Sequence, residues 1–487
     1  MKNLVFAAFL LMFSAVFAEE TVFVQLKDDS RKFLKSDFEK CGITYFYKIK
    51  RTNFYAVHTD SKEISLDCIS RSPLVKKAVP DKKMNIEYRS KDPFFENQWH
   101  LLNTGQRGIE GNDAKVAAAW EYLESLGIEP GKGVKIGIID DAFDLHHPDM
   151  EGKYLKGLDL VDGDDYPYAD DNEPHGTCVT GVIAAVKDND LGVAGACPGC
   201  KIVPVRSGSM LGEGENMANA FNFVLDRGAQ VISNSWGPAD NSGAEDMPEV
   251  IKEIVKYARE KERGGLGTVI FFAAGNGDED ISAEETFDGY AASEDVIAVG
   301  ALNAYGKRST YSDFGKDLDI MAPSSDVDGD YVWNPFAFDT IKDGIWTIDA
   351  RSWYGYSQSD YTSSFGGTSS ASPLAAAVAG LMISAYPKLS RDELYEIITT
   401  TADKVSPVDA DYDENGFSEK YGYGRINALE ALKMLCERHE CKGGLPEIEE
   451  ETYEPEDMDM ESDIDEFPDD SMLPVKTTEK GCSLTVL

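Results

Sequence analysis

Three side chains able to share one nucleophilic reaction lie far apart in the sequence, each in a segment suited to present it. Asp140 closes an apolar run in GIIDDAFDLHHPDM (137–150). His175 opens an apolar stretch in EPHGTCVTGVIAA (173–185), and Ser369 starts another in GGTSSASPLAAAVAG (366–380). A hydroxyl nucleophile needs a base to take its proton, and the base needs a carboxylate that fixes its tautomer. In FFAAGNGDE (271–279), Asn276 follows a buried run, where its amide can donate to an oxyanion beside the Ser369 backbone N–H. Losing such a donor typically costs about 10²–10³ in rate. Taken singly, these residues have ordinary readings: a strand-end cap or calcium ligand, helix caps, and a turn. Four of them in separate segments of one α/β pattern point instead to acyl transfer.

Short apolar strands over 134–139, 201–205, 231–233, 268–273 and 296–299 alternate with helical patterns over 114–126, 176–186, 216–227, 247–263, 370–386 and 391–401. Fully apolar strands spaced by helices predict a mostly parallel sheet covered on both faces. Sites in such folds sit at the carboxyl ends of the strands, where Asp140 falls. Upstream, 21–27 and 84–88 read as strands and 44–58 as a β-hairpin turning at 51–53, with helices at 30–40 and 64–78. That β-α-β-β-α-β order predicts a ferredoxin-like α+β module. No internal repeat is visible.

At 487 residues the chain has room for one large domain and smaller flanking modules. Met1-Lys2 precede an unbroken apolar run over 4–17, ending in small residues at Ala15 and Ala18. This is the pattern of a secretory signal, shorter than the roughly 20 residues of a membrane span. The expected organisation is a signal peptide (1–18), a ferredoxin-like module (19–91), a main domain (92–442) and an acidic tail (443–487). The net charge of −40 argues against a nucleic-acid partner. It is concentrated in EIEEETYEPEDMDMESDIDEFPDD (447–470), which is read as a solvating tail, with weak calcium or envelope binding as the alternative.

Eight cysteines suit an oxidising compartment. Cys41 can pair with Cys68, and Cys436 with Cys441. Cys197 and Cys200 form half of a zinc-type pattern with no second half, which favours a local disulfide. Cys178 and Cys482 remain, and spacing alone does not fix the pairing.

At the quoted motifs the chain resembles the subtilase family of serine peptidases, over residues 92 to about 435. The resemblance implies a three-layer α/β/α sandwich, an Asp140-His175-Ser369 triad with Asn276 at the oxyanion, and an inhibitory propeptide (19–91) removed by self-cleavage. SNSWGPAD (233–240) and FDGY (287–290) resemble the kexin and furin branch. By that likeness Ser235, Trp236 and Gly237 pair with extended substrate, Asp240 and Asp288 line an S1 pocket for Arg or Lys, and Asp141 favours a basic P2 residue. Structural calcium is implied too. Its strong site would use Asp92, Asp149, Asn189 and the carbonyls of Val186, Leu191 and Val193. A weaker one would use Asp240 and Asp313 with Asp278 or Asp280. The branch's β-sandwich domain is replaced by the acidic tail, and Glu213 and Glu215 are the candidate P4-reading acids. The aromatic segment 326–361 is expected to shape the prime side.

The resulting expectation is a calcium-stabilised, monomeric endopeptidase outside the cell, free or at its surface, without an integral membrane span. It would act on peptides with basic P1 residues, be inhibited by its own propeptide, and cut itself after Lys91 or Arg89. A degradative enzyme of broad specificity and a non-catalytic binding protein are the alternatives.

Overall fold

The computed structural model describes residues 20–27, most of 38–80, 90–169, 173–208, 214–326, 344–351, 355–450 and 452–453. The expected signal peptide, strand 84–88, Arg89, Glu213, Cys482 and most of the aromatic segment lie outside these residues. The chain divides into two compact units, Met1–Tyr88 and Arg89–Leu487.

In the first unit, β1 (Glu20–Leu26), β2 (Ile43–Lys48), β3 (Phe54–Thr59) and β4 (Val75–Pro80) form an antiparallel sheet in the order β2-β3-β1-β4. One apolar cluster containing Val22, Val24, Val57, Ile69 and Val75 fills it, and a Cys41–Cys68 disulfide joins its connections. The strand order is that of the ferredoxin-like arrangement. One element differs from expectation, because β4 falls inside the segment read as helix 64–78. Pro73 has no N–H to continue a helix and disfavours helical geometry at Ser72. The valines beyond it therefore enter the sheet.

The second unit is built on a seven-stranded sheet. Its strands are β5 (Lys135–Asp140), β6 (Leu158–Asp159), β7 (Lys201–Arg206), β8 (Val231–Asn234), β9 (Val269–Ala273), β10 (Ile297–Leu302) and β11 (Ile320–Pro323). The order is β11-β10-β9-β8-β5-β7-β6, and the pairs are parallel. A separate antiparallel pair, β12 (Ile345–Ile348) and β13 (Tyr361–Phe365), lies nearer the site. Strands β6, β11, β12 and β13 are not among the strands the sequence predicts.

The helices are α1 (Val116–Ser125), α2 (His175–Ala184), α3 (Gly214–Asp226), α4 (Glu249–Gly265), α5 (Thr368–Ala385), α6 (Arg391–Thr401) and α7 (Ala428–Arg438). Phe221 and Val224 of α3, with Ile251 and Val255 of α4, share one core cluster with Ile139, Val203, Ile232 and Ile270 of the sheet. Helix α5 packs against β8 to β11 and against α2. It is apolar all round, as a helix buried on every side must be, and all of its residues are buried. Its length and composition would also suit a membrane span. Gly380 of α5 has no Cβ to collide with the sulfurs of the Cys197–Cys200 disulfide, each 2.9 Å from where one would stand. The architecture is the expected three-layer α/β/α sandwich. Cys436 and Cys441 pair as well, and Cys178 is a buried free thiol.

The chain beyond α7 departs from expectation. Residues 443–450, 452 and 453, expected to belong to a solvated tail, instead lie along the domain. Leu445 lies against Gly133, Ile448 packs on the α3–α4 core, and Thr452 bridges Leu155. Glu447 pairs with Lys132 at 2.6 Å, and Glu450 pairs with Lys135. Buried Tyr453 donates its hydroxyl hydrogen to Asp165 O, accepts from Gly157 N at 3.0 Å and lies under the Lys156 ammonium. The signal was present as three apolar residues among acids, but it was outweighed by the charge run. Replacing Tyr453 by Ala removes a buried ring and both hydrogen bonds. It should cost about 3 kcal/mol in denaturant unfolding; a loss below about 0.5 kcal/mol would mean that the strap adds little.

Candidate active site

The carboxyl ends of β5, β8 and β9 converge where the sequence placed its reactive residues. Asp140 is the last residue of β5, and its carbonyl accepts from Ser207 N and Ser207 Oγ, both at 2.9 Å. His175 is the first residue of α2, and its Nδ1 lies 2.7 Å from Asp140 Oδ1. That contact leaves Nε2 as the imidazole's other end, and Nε2 is buried without a partner among the described residues. Burial pulls the imidazole pKa down. The charge and hydrogen bond of Asp140, with the charge of Asp141, outweigh this and leave it at about 9. Phe365 of β13 meets the ring edge-on at 5.6 Å.

Ser369 is the second residue of α5 and is buried. Pro373, four residues on, has no N–H to satisfy the Ser369 carbonyl. Ser235 Oγ donates to that carbonyl at 3.0 Å, and Ser369 Oγ donates to Ser235 O at 3.2 Å. The nucleophile candidate is thereby tied to the end of β8. Asn276 accepts through Oδ1 from Thr368 N at 2.8 Å and from Thr368 Oγ1 at 3.2 Å. Both contacts use the oxygen, which turns the amide N–H₂ away as the free donor end. Gly367 (φ +70°) makes the turn between them, its missing Cβ 3.2 Å from Asn276 Oδ1. Thr368 was not singled out in the sequence; its place inside GGTSS was the only signal.

A cleft of about 500 Å³ opens beside Ser369, lined by Ser235 to Asp240, Gly275, Asn276, Glu279, Asp288 and Asp313 among others. Trp236 points inward, donating to Ile139 O at 2.9 Å and packing on Phe272 and Tyr290, so its backbone faces the cleft. Asp288 Oδ1 accepts from the N–H groups of Tyr290 and Ala291, while Oδ2 lies beneath Gly237. Burial pushes the Asp288 carboxyl up to about 6. Asp240 accepts from Asn276 N at 3.0 Å, and burial raises it too.

The acids expected around Asp240 are rearranged. Asp313 does lie beside it, accepting from Gly277 N and Glu279 N at 2.8 Å. Their third neighbour is Glu279, whose charge opposes both carboxylates. Asp278 instead pairs with Arg308 at 2.7 Å, and Asp280 caps Ser282 N at 2.9 Å. Asp141 is engaged by backbone at the start of α2. Its oxygens accept from His175 N at 3.0 Å, Gly176 N at 2.7 Å and Ala142 N at 2.6 Å. Glu215 is exposed at the start of α3.

Away from the cleft, Asp92 and Asp149 are both bonded to the 186–193 loop. Asp92 accepts from Asp188 N, Asn189 N and Ser90 Oγ. Asp149 accepts from Val193 N at 2.9 Å and from Asn189 Nδ2 at 2.8 Å. Tyr361, which carried no sequence signal, also bonds to Asp149. Burial, with the neighbouring Asp92 charge, lifts Asp149 to about 6. Two buried acids facing each other without a countercharge suit a hard divalent cation. Holding one would require the Asn189 amide to turn its oxygen inward, with carbonyls of 186, 191 and 193 as further ligands.

The Subtilase family model matches residues 131–424, more than half of the chain. A calcium-dependent protease of Nostoc sp. is 38% identical over 371 residues, covering 72% of this chain and 52% of that protein. Neuroendocrine convertase 2 of Bos taurus is 30% identical over 409 residues, covering 77% of this chain and 60% of that one. The chain thus spans only about half to three-fifths of the length of these curated relatives. A solved protease structure from Pseudoalteromonas arctica superposes with a TM-score of 0.54 at 25% identity, covering 71% of this chain and 99% of that one.

The acid cluster at the cleft has a pH signature. Burial, then the Asp240 and Glu279 charges, lift Asp313 to about 7. An acid raised in the folded state has no effect on stability below about pH 4; it costs stability progressively between about pH 4 and its folded value near 7, and the cost stays constant above that. In chelator, Asp313→Asn should therefore stabilise the protein at pH 8, on the order of 2 kcal/mol, with the gain gone at pH 4. Melting curves at the two pH values check this, and an equal shift at both would contradict it.

Proposed function

The chain belongs to the subtilase family, and from that premise we propose that it is a serine endopeptidase that cleaves after basic residues. The observation that carries the reading is the half-buried His175, bonded to Asp140 through Nδ1, with a buried Nε2 that has no partner among the described residues. In this reading Ser369 Oγ attacks the scissile carbonyl as Nε2 takes its proton, and Asp140 stabilises the imidazolium without being protonated itself. The oxyanion accepts from Asn276 Nδ2 and from the Ser369 N–H, one of the first-turn donors that no helical carbonyl can satisfy. The imidazolium then protonates the leaving amine, and the acyl group passes to water.

Basic P1 selection follows from Asp288 and Asp240. A carboxyl whose pKa burial has raised gains most when a guanidinium or ammonium enters to pair with it. An apolar P1 side chain would leave that acid desolvated and unpaired. The backbone of Ser235, Trp236 and Gly237 is placed to take extended substrate as an added strand. Bound calcium at Asp92 and Asp149 would supply countercharge and hold the 186–193 loop; the Nostoc relative's name supports this choice of cation. Three disulfides support an oxidising compartment, and with it secretion. Residues 19–91 act as a propeptide, since the boundary between the two units falls at Arg89, beside two basic residues.

Secreted wild type should lose residues 19–91 and start at Ser90 or Asp92, whereas Ser369→Ala should keep them, as read by intact mass and N-terminal sequencing. A mature start after an apolar residue would sink the basic P1 preference, and identical maturation of both would sink self-cleavage. Chelation should lower the melting temperature reversibly. At a calcium concentration about 100-fold above Kd, restoration should return roughly 2.7 kcal/mol. A melting temperature indifferent to calcium would remove the metal from the account.

A further inference from the structure

We propose that Asp141 is a positioning residue for the His175 imidazole, anchoring the first turn of α2 and setting a second negative charge behind the ring, rather than a reader of substrate. The inference rests on the peptidase reading for its kinetic consequence and on geometry for the rest. Asp141 Oδ2 accepts from the His175 N–H at 3.0 Å and Oδ1 from the Gly176 N–H at 2.7 Å. These are two of the donors that the start of a helix leaves unsatisfied. Pro174, in the capping position of α2, has no side chain that can accept them, and no side-chain capping bond forms there. Asp141, from the turn after β5, supplies the missing acceptor. Gly176 completes the fit, because a Cβ there would stand 2.5 Å from Ala142 O and 3.0 Å from the Asp140 Cβ. The strand end that carries the acid and the helix that carries the base are thus clamped directly onto each other.

The same clamp fixes charge. Ligand-type atoms of Asp140, Asp141 and His175 all lie within 4.8 Å of one another. Other titratable groups also bear on the pair. Cys178 stands one turn along α2, and Asp349 and Tyr356 come from the segment after β12. Glu173 precedes the helix and is engaged by Arg206, opposite Asp140 on β7. These groups leave Asp141 as the acid that touches the backbone of His175 itself. A substrate cation at P2 would have to share oxygens already holding N–H groups. Burial and the neighbouring Asp140 charge push the Asp141 carboxyl up to about 7. Above that pH Asp141 is anionic, its charge adds to that of Asp140 in favouring the imidazolium, and the pH at which the neutral base becomes available rises.

The test uses the full chain carrying Ser369→Ala, with His175 identified by NMR against His175→Gln, and with Asp141→Asn or Asp141→Ser added. Either variant removes the charge while keeping an acceptor, so one serves if the other fails to fold. The His175 titration midpoint should fall by about one pH unit. In the active enzyme the acid limb of kcat/KM should move down with it, while the ratio of rates for Lys and Ala at P2 stays within about twofold. A midpoint that does not move would overturn the proposal. So would a P2 ratio that collapses about tenfold with the acid limb unmoved. A midpoint that moves in a wild-type chain without peptidase activity would support the coupling and reject the peptidase reading.

Discussion

A half-buried hydrogen bond at the carboxyl end of an interior strand of a parallel sheet is the constraint on which the rest of this structure depends. The Asp140–His175 contact joins the end of β5 to the start of α2, and neither group can be buried unless its other valences are met or deliberately left open. Ser207 fixes the Asp140 carbonyl, Asp141 holds the first N–H groups of α2, and Gly176 allows the two segments to touch. The same economy governs the nucleophile. Pro373 frees a helical carbonyl that Ser235 takes, which ties α5 to the end of β8. What remains unpaired at the centre, His175 Nε2 and the amide end of Asn276, is what acyl transfer requires.

Around this centre the distribution of charge separates structural from functional acids. Asp144 is paired with Arg351 at 2.9 Å, and Arg206 bridges Asp159, Asp162 and Glu173, so these acids serve architecture. Asp149, Asp288 and Asp313 are buried with N–H donors but, among the described residues, with no cationic side chain bonded to them, and burial raises all three. A folded chain tolerates such groups at neutral pH mainly where something cationic completes them. For Asp288 the proposed partner is a basic side chain of substrate, and for Asp149 the proposed partner is calcium. The strongly negative net charge fits a molecule whose countercharges come from outside.

Much of this was legible in the sequence because it was written in strong, local signals. Strands β5, β7, β8, β9 and β10, the burial of α5 and the segments carrying Asp140, His175, Asn276 and Ser369 follow from apolar runs and their punctuation. Other features depend on tertiary placement that periodicity does not encode. The side chain of Asp141 turns to a helix end, a choice decided by Pro174 and Gly176 across a gap of more than thirty residues. Glu279, rather than Asp278 or Asp280, joins Asp240 and Asp313, because Arg308 claims Asp278 and the Ser282 turn claims Asp280. The strap to Tyr453 was obscured by the acids around it, and β4 by a helical spacing that Pro73 interrupts.

The central claim is that this geometry makes Ser369 the nucleophile, and its most direct measurement is mapping the residue modified by a fluorophosphonate. The account predicts a single adduct on Ser369 in the mature chain, abolished by His175→Ala although the serine itself remains. Modification of another residue, or labelling of Ser369 that persists without His175, would contradict it.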